Sequence, residues 1–163
     1  MEDKRMNLYE ATEFYTIRDV IKNAVKKYPE NNAFILKEKK DKEVKYKNIT
    51  YKQFDEDIDS LGTALVNLGL KGKRVAIIGK NRYEWIVSYL AVVNGTGIVV
   101  PLDKGLPEAE VESSLIRSKA DCIIFEESYT EMIQNIKNSE STNIKEYICM
   151  DKQEKFKSLE EII

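Results

Sequence analysis

The residues best placed to do chemistry are cationic and lie at chain turns. Gly79-Lys80-Asn81-Arg82 follows the apolar run Val75 to Ile78 and precedes a helical pattern. A strand end feeding a helix N-terminus is where backbone N–H groups and basic side chains collect anions. Lys80 and Arg82 are therefore candidate anion contacts, although Asn81 acting as a helix cap accounts for the segment without a ligand. A second connector, Pro101 to Leu106, carries Lys104 and Gly105 after the next apolar run.

Other motifs fail on order. In Gly95-Thr96-Gly97 the glycines come after a helix and before a strand, the reverse of a dinucleotide fingerprint, so a tight turn is expected. Gly72-Lys73 has Arg74 where a phosphate loop needs Ser or Thr, and Asn67 where it needs its first glycine. The chain has no histidine, which removes the usual general base and the commonest zinc ligand. Cys122 and Cys149 each sit in a short apolar run and are expected buried and reduced, with neither a disulfide nor a metal site. No catalytic residue and no metal ligand can be named.

The elements that hold these turns alternate. Thr16 and Asp19 form a capping pattern before the stripe Ile17, Val20, Ile21, Ala24, Val25 and Tyr28, and Pro29 stops that helix. Ala33–Leu36 and Val44–Thr50 read as two strands, with Lys37–Glu43 between them as a solvated loop. Thr50 and Gln53 make a second capping box, opening a helix whose Tyr51, Phe54, Ile58, Leu61, Leu65 and Leu68 share one face. Asp55, Glu56, Asp57 and Asp59 read as its solvated side, and Gly69 as its left-handed cap.

Val75–Ile78, Ile98–Val100, Cys122–Phe125 and Tyr147–Met150 are unbroken apolar runs, as suits strands covered on both faces. Helices are predicted between them: about Arg82–Asn94, capped by Asn81; from Pro107 at its first position to Ser118; and Ser128–Lys137. The first is apolar nearly all round, which predicts deep burial of Trp85 and its neighbours. The fold class is α/β, a mostly parallel sheet with helices on both faces, plus a short N-terminal hairpin. Residues 1–163 read as one truncated domain, with 1–15 a flexible or extended lead. Ser158 and Glu161 cap a last helix that breaks off after Leu159, Ile162 and Ile163, so the sequence reads as cut from something longer.

Composition sets outer bounds. The 163 residues are 42% hydrophobic and 33% charged, with 26 basic and 28 acidic side chains and a formal net charge of −2. That balance argues against nucleic acid. No apolar run reaches the roughly 18–20 residues of a membrane span, and the N-terminus has no secretory pattern. A cytoplasmic location is expected.

From Thr16 to about Met150 the chain resembles the N-terminal region of AMP-dependent synthetases and ligases, the adenylate-forming enzymes. It is most similar to the long-chain acyl-CoA synthetases. Four blocks carry the likeness: Thr50-Tyr51-Lys52-Gln53-Phe54, Gly72-Lys73-Arg74-Val75-Ala76-Ile77-Ile78, Asn81-Arg82-Tyr83-Glu84-Trp85 and Val99-Val100-Pro101-Leu102-Asp103. Asn94-Gly95-Thr96-Gly97 departs from the family's Ala/Gly pairs there. The resemblance implies a parent enzyme that uses ATP and Mg2+ to make an acyl-adenylate and then a coenzyme A thioester. The parent would be cytoplasmic, a peripheral place at a membrane being compatible with it. The family's catalytic motifs have no counterpart in these residues. The resemblance therefore implies a scaffold, inactive alone, that binds no cofactor of its own and pairs with the remainder of the parent enzyme. By position in the family, Lys104 and Gly105 would lie near a coenzyme A phosphate. Two alternatives stand beside it: a free-standing nucleotide- or CoA-binding module, and an interaction domain that self-associates through exposed apolar surface.

Overall fold

The capping and stripe patterns produce the helices they predict. In a computed structural model, which describes residues 12–40 and 43–163, Thr16 caps α1 (Ile17–Lys27) and exchanges both capping bonds with Asp19. The expected flexible lead falls largely outside the described residues, and 12–15 form neither helix nor strand. Strands β1 (Asn32–Lys40) and β2 (Glu43–Thr50) pair antiparallel. The expected loop over Lys37–Glu43 is mostly strand, because Lys37 to Lys40 continue the ladder against Tyr46 to Glu43. Cross-strand backbone bonds do not depend on apolar side chains, which is why composition hid this part of the ribbon.

Helix α2 (Tyr51–Asn67) starts at Thr50, whose hydroxyl accepts the Gln53 N–H. The reciprocal half of the expected capping box is missing. Gln53 Nε2 instead donates to Asp57 at 2.8 Å. At the other end Gly69 has φ 79°. The Gly69 N–H bonds Val66 O and the Leu70 N–H bonds Leu65 O, the paired bonds of a glycine-terminated helix.

Five parallel strands follow: β3 (Arg74–Ile78), β4 (Ile98–Pro101), β5 (Cys122–Phe125), β6 (Glu146–Cys149) and β7 (Lys157–Ser158). Their spatial order is β4-β3-β5-β6-β7. The sequence predicted four of them, and two-residue β7 is too short to leave a pattern. Helices α3 (Tyr83–Ala91), α4 (Glu108–Ser118), α5 (Thr130–Asn138) and α6 (Leu159–Ile162) complete the chain. Strand alternation divides the core. Val75, Ile77 and Ile124 pack with α1, α2 and α3, whereas Ala76, Ile78, Ile123 and Phe125 pack with α4 and α5.

Three helix starts differ from expectation. Arg82, not Asn81, is the N-cap of α3, and no side chain caps it. Pro107 is the N-cap of α4, one residue outside the helix. A 3-10 turn at Glu127–Tyr129 precedes α5. Helix α3 also ends early, passing at Val92 into one π-helical turn through Thr96.

The expected deep burial of α3 is corrected. Val87, Ser88, Ala91 and Val92 are buried, but Trp85, Ile86, Tyr89 and Leu90 are only partly covered. Helix α3 lies on the sheet with α2 beside it, and two neighbours cannot enclose a cylinder.

Candidate functional site

The five-strand order fixes where a ligand-facing edge would be. Connections leaving β3 run outward to β4 in one direction, and β5 lies on the other side. In open parallel sheets this reversal opens a crevice at the carboxyl ends of the two diverging strands. Here those ends are Ile78-Gly79-Lys80 and Phe125-Glu126.

Glu126 organises the crevice. Its carboxylate accepts the Lys80 backbone N–H at 2.8 Å and the Lys80 ammonium at 2.9 Å. The side chain of Glu126 is 11% exposed and that of Lys80 67%. Burial pushes the Glu126 carboxyl up, but the two bonds from Lys80 outweigh it and hold the group below the ordinary carboxylate range. Gly79 lets the two segments approach closely, since a Cβ there would meet the Glu126 Cβ at a tight 3.2 Å.

Arg82 is held by two carboxylates, Glu84 at 2.6 Å through Nε and Asp151 at 2.7 Å through Nη1. Asp151 also accepts the Glu127 N–H at 3.0 Å. The guanidinium thus ties the start of α3 to the ends of β5 and β6. Charge-assisted bonds of this kind fix loops more firmly than neutral ones.

The β4 connector joins the same edge. The Leu102 N–H extends the β3 ladder to Ile77 O at 2.9 Å. Asp103 accepts the Gly105 N–H at 2.6 Å, and the Tyr129 hydroxyl donates to the Lys104 carbonyl at 2.7 Å. Tyr129 thereby clips the connector to the β5–α5 turn, with the Lys104 side chain left on the exposed side. Between the β5–α5 turn and the segment after β6, an open cleft of about 580 Å3 is lined by Glu127, Thr130, Lys152 and Gln153 among others.

All four candidate residues therefore stand at the carboxyl edge of the sheet, but in two conditions. Lys80 and Arg82 already spend their charge on carboxylates, whereas the Lys104 ammonium has no ion pair among the described residues. Glu126 and Asp151 were missed by the sequence reading. Their signal was present: each is an acid at the end of an apolar run, in Phe125-Glu126-Glu127 and Cys149-Met150-Asp151.

The acidic side of α2 does more than face solvent. Lys22 on α1 reaches Asp55 and Asp59, each at 2.7 Å, and the Tyr83 hydroxyl donates to Asp57 at 2.5 Å. These bonds dock α1 and α3 onto α2. Among the described residues no cluster of three or more carboxylate or thiol side chains could hold a metal ion.

Comparison with known proteins agrees with this architecture. Residues 21–162 match the family model described as AMP-binding enzyme. Fatty acyl-CoA synthetase A of Dictyostelium discoideum is 34% identical over 107 residues, 65% of this chain and 16% of that protein. One of the plipastatin synthase proteins of Bacillus subtilis is 30% identical over 96 residues, 59% of this chain and 4% of that one. A long-chain-fatty-acid-CoA ligase from Archaeoglobus fulgidus superposes with a TM-score of 0.77 at 20% identity, over 96% of this chain and 30% of its own. The chain thus spans a sixth or less of the curated relatives named here. With a family match over most of its length and the parallel sheet that the family's solved members share, the chain belongs to the AMP-binding enzymes.

Proposed function

We propose that this chain is the N-terminal scaffold of an ATP-dependent acyl-CoA synthetase. The whole enzyme would activate a carboxylate as its acyl-adenylate and pass the acyl group to coenzyme A. ATP and Mg2+ would be held by other parts of that enzyme, since Lys80 and Arg82 are each engaged with carboxylates of this chain. The observation that carries the reading is the cross-braced carboxyl edge. Glu126, Asp151 and Tyr129 lock four strand-end loops in place, as a surface that positions groups supplied from elsewhere must be locked.

Within that edge Lys104 and Gly105 are the residues through which this chain would touch a ligand. A lysine ammonium meets a phosphate as a point charge, and the bond from the Gly105 N–H to Asp103 fixes the turn beside it. The chain alone, given ATP, Mg2+, a fatty acid and coenzyme A, is expected to form no acyl-CoA. In the whole enzyme Lys104→Ala is expected to raise the KM for coenzyme A several-fold while leaving adenylate formation unchanged. Thioester formation by the isolated chain would overturn the scaffold reading. An unchanged KM for coenzyme A would remove Lys104 from it.

A further inference from the structure

The β1–β2 ribbon carries a surface that the fold does not use. One face packs inward: Ile49 is buried, Leu36 packs against the core, and Phe34 meets Phe54 and Tyr83 at ring-centroid distances of 4.9 and 5.3 Å. Register fixes the other face. Ile35 pairs with Asn48, Lys37 with Tyr46, and Lys39 with Val44, so the alternation of a strand puts Ile35, Lys37, Val44, Tyr46 and Asn48 on one side. Ile35 is 62% exposed, Val44 47% and Tyr46 66%.

Charge is concentrated in the same element. Residues 37–47 hold six lysines and three acids, a net charge of +3 in a chain whose total is −2. Backbone pairing sets Glu38 opposite Lys45 and Glu43 opposite Lys40, a register apart from Ile35, Lys37 and Tyr46. The outward register has lysine, tyrosine and aliphatic positions and no acid.

We propose that the outward face of the β1–β2 hairpin is a docking surface for an anionic lipid bilayer. Two physical arguments select this occupant. Protein interfaces keep lysine out of their centres, yet here Lys37 stands between Ile35 and Tyr46. A bilayer accepts both kinds of group at once, with aliphatic and tyrosine side chains at the headgroup boundary and ammonium groups on lipid phosphates. The local positive excess complements an anionic leaflet, and each lysine near such a surface strengthens binding about fivefold. The proposal does not depend on the acyl-CoA synthetase reading.

The test is sedimentation of the chain with vesicles of phosphatidylcholine alone or mixed with phosphatidylglycerol. Binding is expected only to the anionic vesicles, weakening sharply as salt screens it. Lys37→Glu is expected to weaken binding about 25-fold, since it removes one attraction and adds one repulsion. Tyr46→Ser should weaken it severalfold. Lys71→Glu makes the same charge change beyond the far end of α2, a helix about 25 Å long, and should leave binding intact. Thermal unfolding reports whether each variant is folded. Lys37→Glu, at an exposed position, decides the matter if Tyr46→Ser unfolds. Absence of binding, equal binding to neutral vesicles, or equal loss with Lys71→Glu would overturn the proposal. Retention on polyglutamate without anionic-vesicle binding would overturn it in favour of an acidic polypeptide.

Discussion

Replacing Gly97 by alanine should break the join between β4 and β3. The φ of Gly97 is −173°, so alanine meets no backbone strain there, and the obstacle is space. A Cβ on Gly97 would lie 2.2 Å from the Lys73 carbonyl oxygen, whereas real Cβ atoms do not approach within 3.0 Å. The two segments must part by about 0.8 Å, the difference between those distances. That carbonyl is also the acceptor for the Ile98 N–H at 2.9 Å, and the neighbouring Gly72 N–H donates to Thr96 O at 2.6 Å. Forced overpacking costs about 1–3 kcal/mol, and loosening a rung adds about 1 kcal/mol. The expected loss is about 2–4 kcal/mol, which at a slope near 2 kcal/mol/M lowers the urea midpoint by about 1–2 M. Hydrogen exchange should show the Ile98 amide losing protection. Gly69→Ala serves as the contrast: nothing lies within 4 Å of its Cβ and φ is 79°, so it should cost about 1 kcal/mol and leave Ile98 protected. An unchanged midpoint for Gly97→Ala with Ile98 still protected would refute the packing argument. A loosened β4 would also release the connector that carries Lys104.

Other outcomes follow from single contacts. Glu126→Gln should cost about 1 kcal/mol at neutral pH, a modest figure because Lys80 is largely exposed. Since the Glu126 carboxyl is held below its ordinary range, its stabilisation is full above that range and fades as pH falls through the folded value. The urea midpoint of the unsubstituted chain should therefore drop more steeply below about pH 4 than that of the variant, and parallel curves would contradict it. Trp85 stacks on Tyr89 at 5.5 Å and is half-buried, so Trp85→Ala should cost about 1–2 kcal/mol, below the 3–5 of a full core truncation. Quenching of the lone tryptophan by acrylamide in the folded chain checks the same point. Burial pushes both the Cys122 and the Cys149 thiols up, so a disulfide reagent should label neither in the folded chain and both in urea; rapid labelling of the folded chain would count against their burial.

What the sequence determined by itself was the set of elements that depend on neighbours in the chain. Caps at Thr16 and Ser158, the stripe from Phe54 to Leu68, and apolar runs such as Val75–Ile78 are local patterns, and local backbone and solvation forces read them directly. The parallel sheet followed, because buried runs alternating with helices have few other solutions. Even the reach of Lys104 and Gly105 to the carboxyl edge was legible, since every connector leaving a parallel strand starts there.

Tertiary structure decided which groups remain available at that edge. Lys80 and Arg82 looked like anion contacts until Glu126 and Asp151, from strands 46 and 69 residues away along the chain, met them. Such partners are brought together by strand order, which a one-dimensional pattern does not encode. The same holds for α3, whose composition implied burial on all sides while its packing supplies neighbours on only part of its surface. Gly97 makes the point at the scale of one atom. Its type suggested a turn, but what excludes a side chain there is the carbonyl of Lys73, placed against it only when β4 docks beside β3.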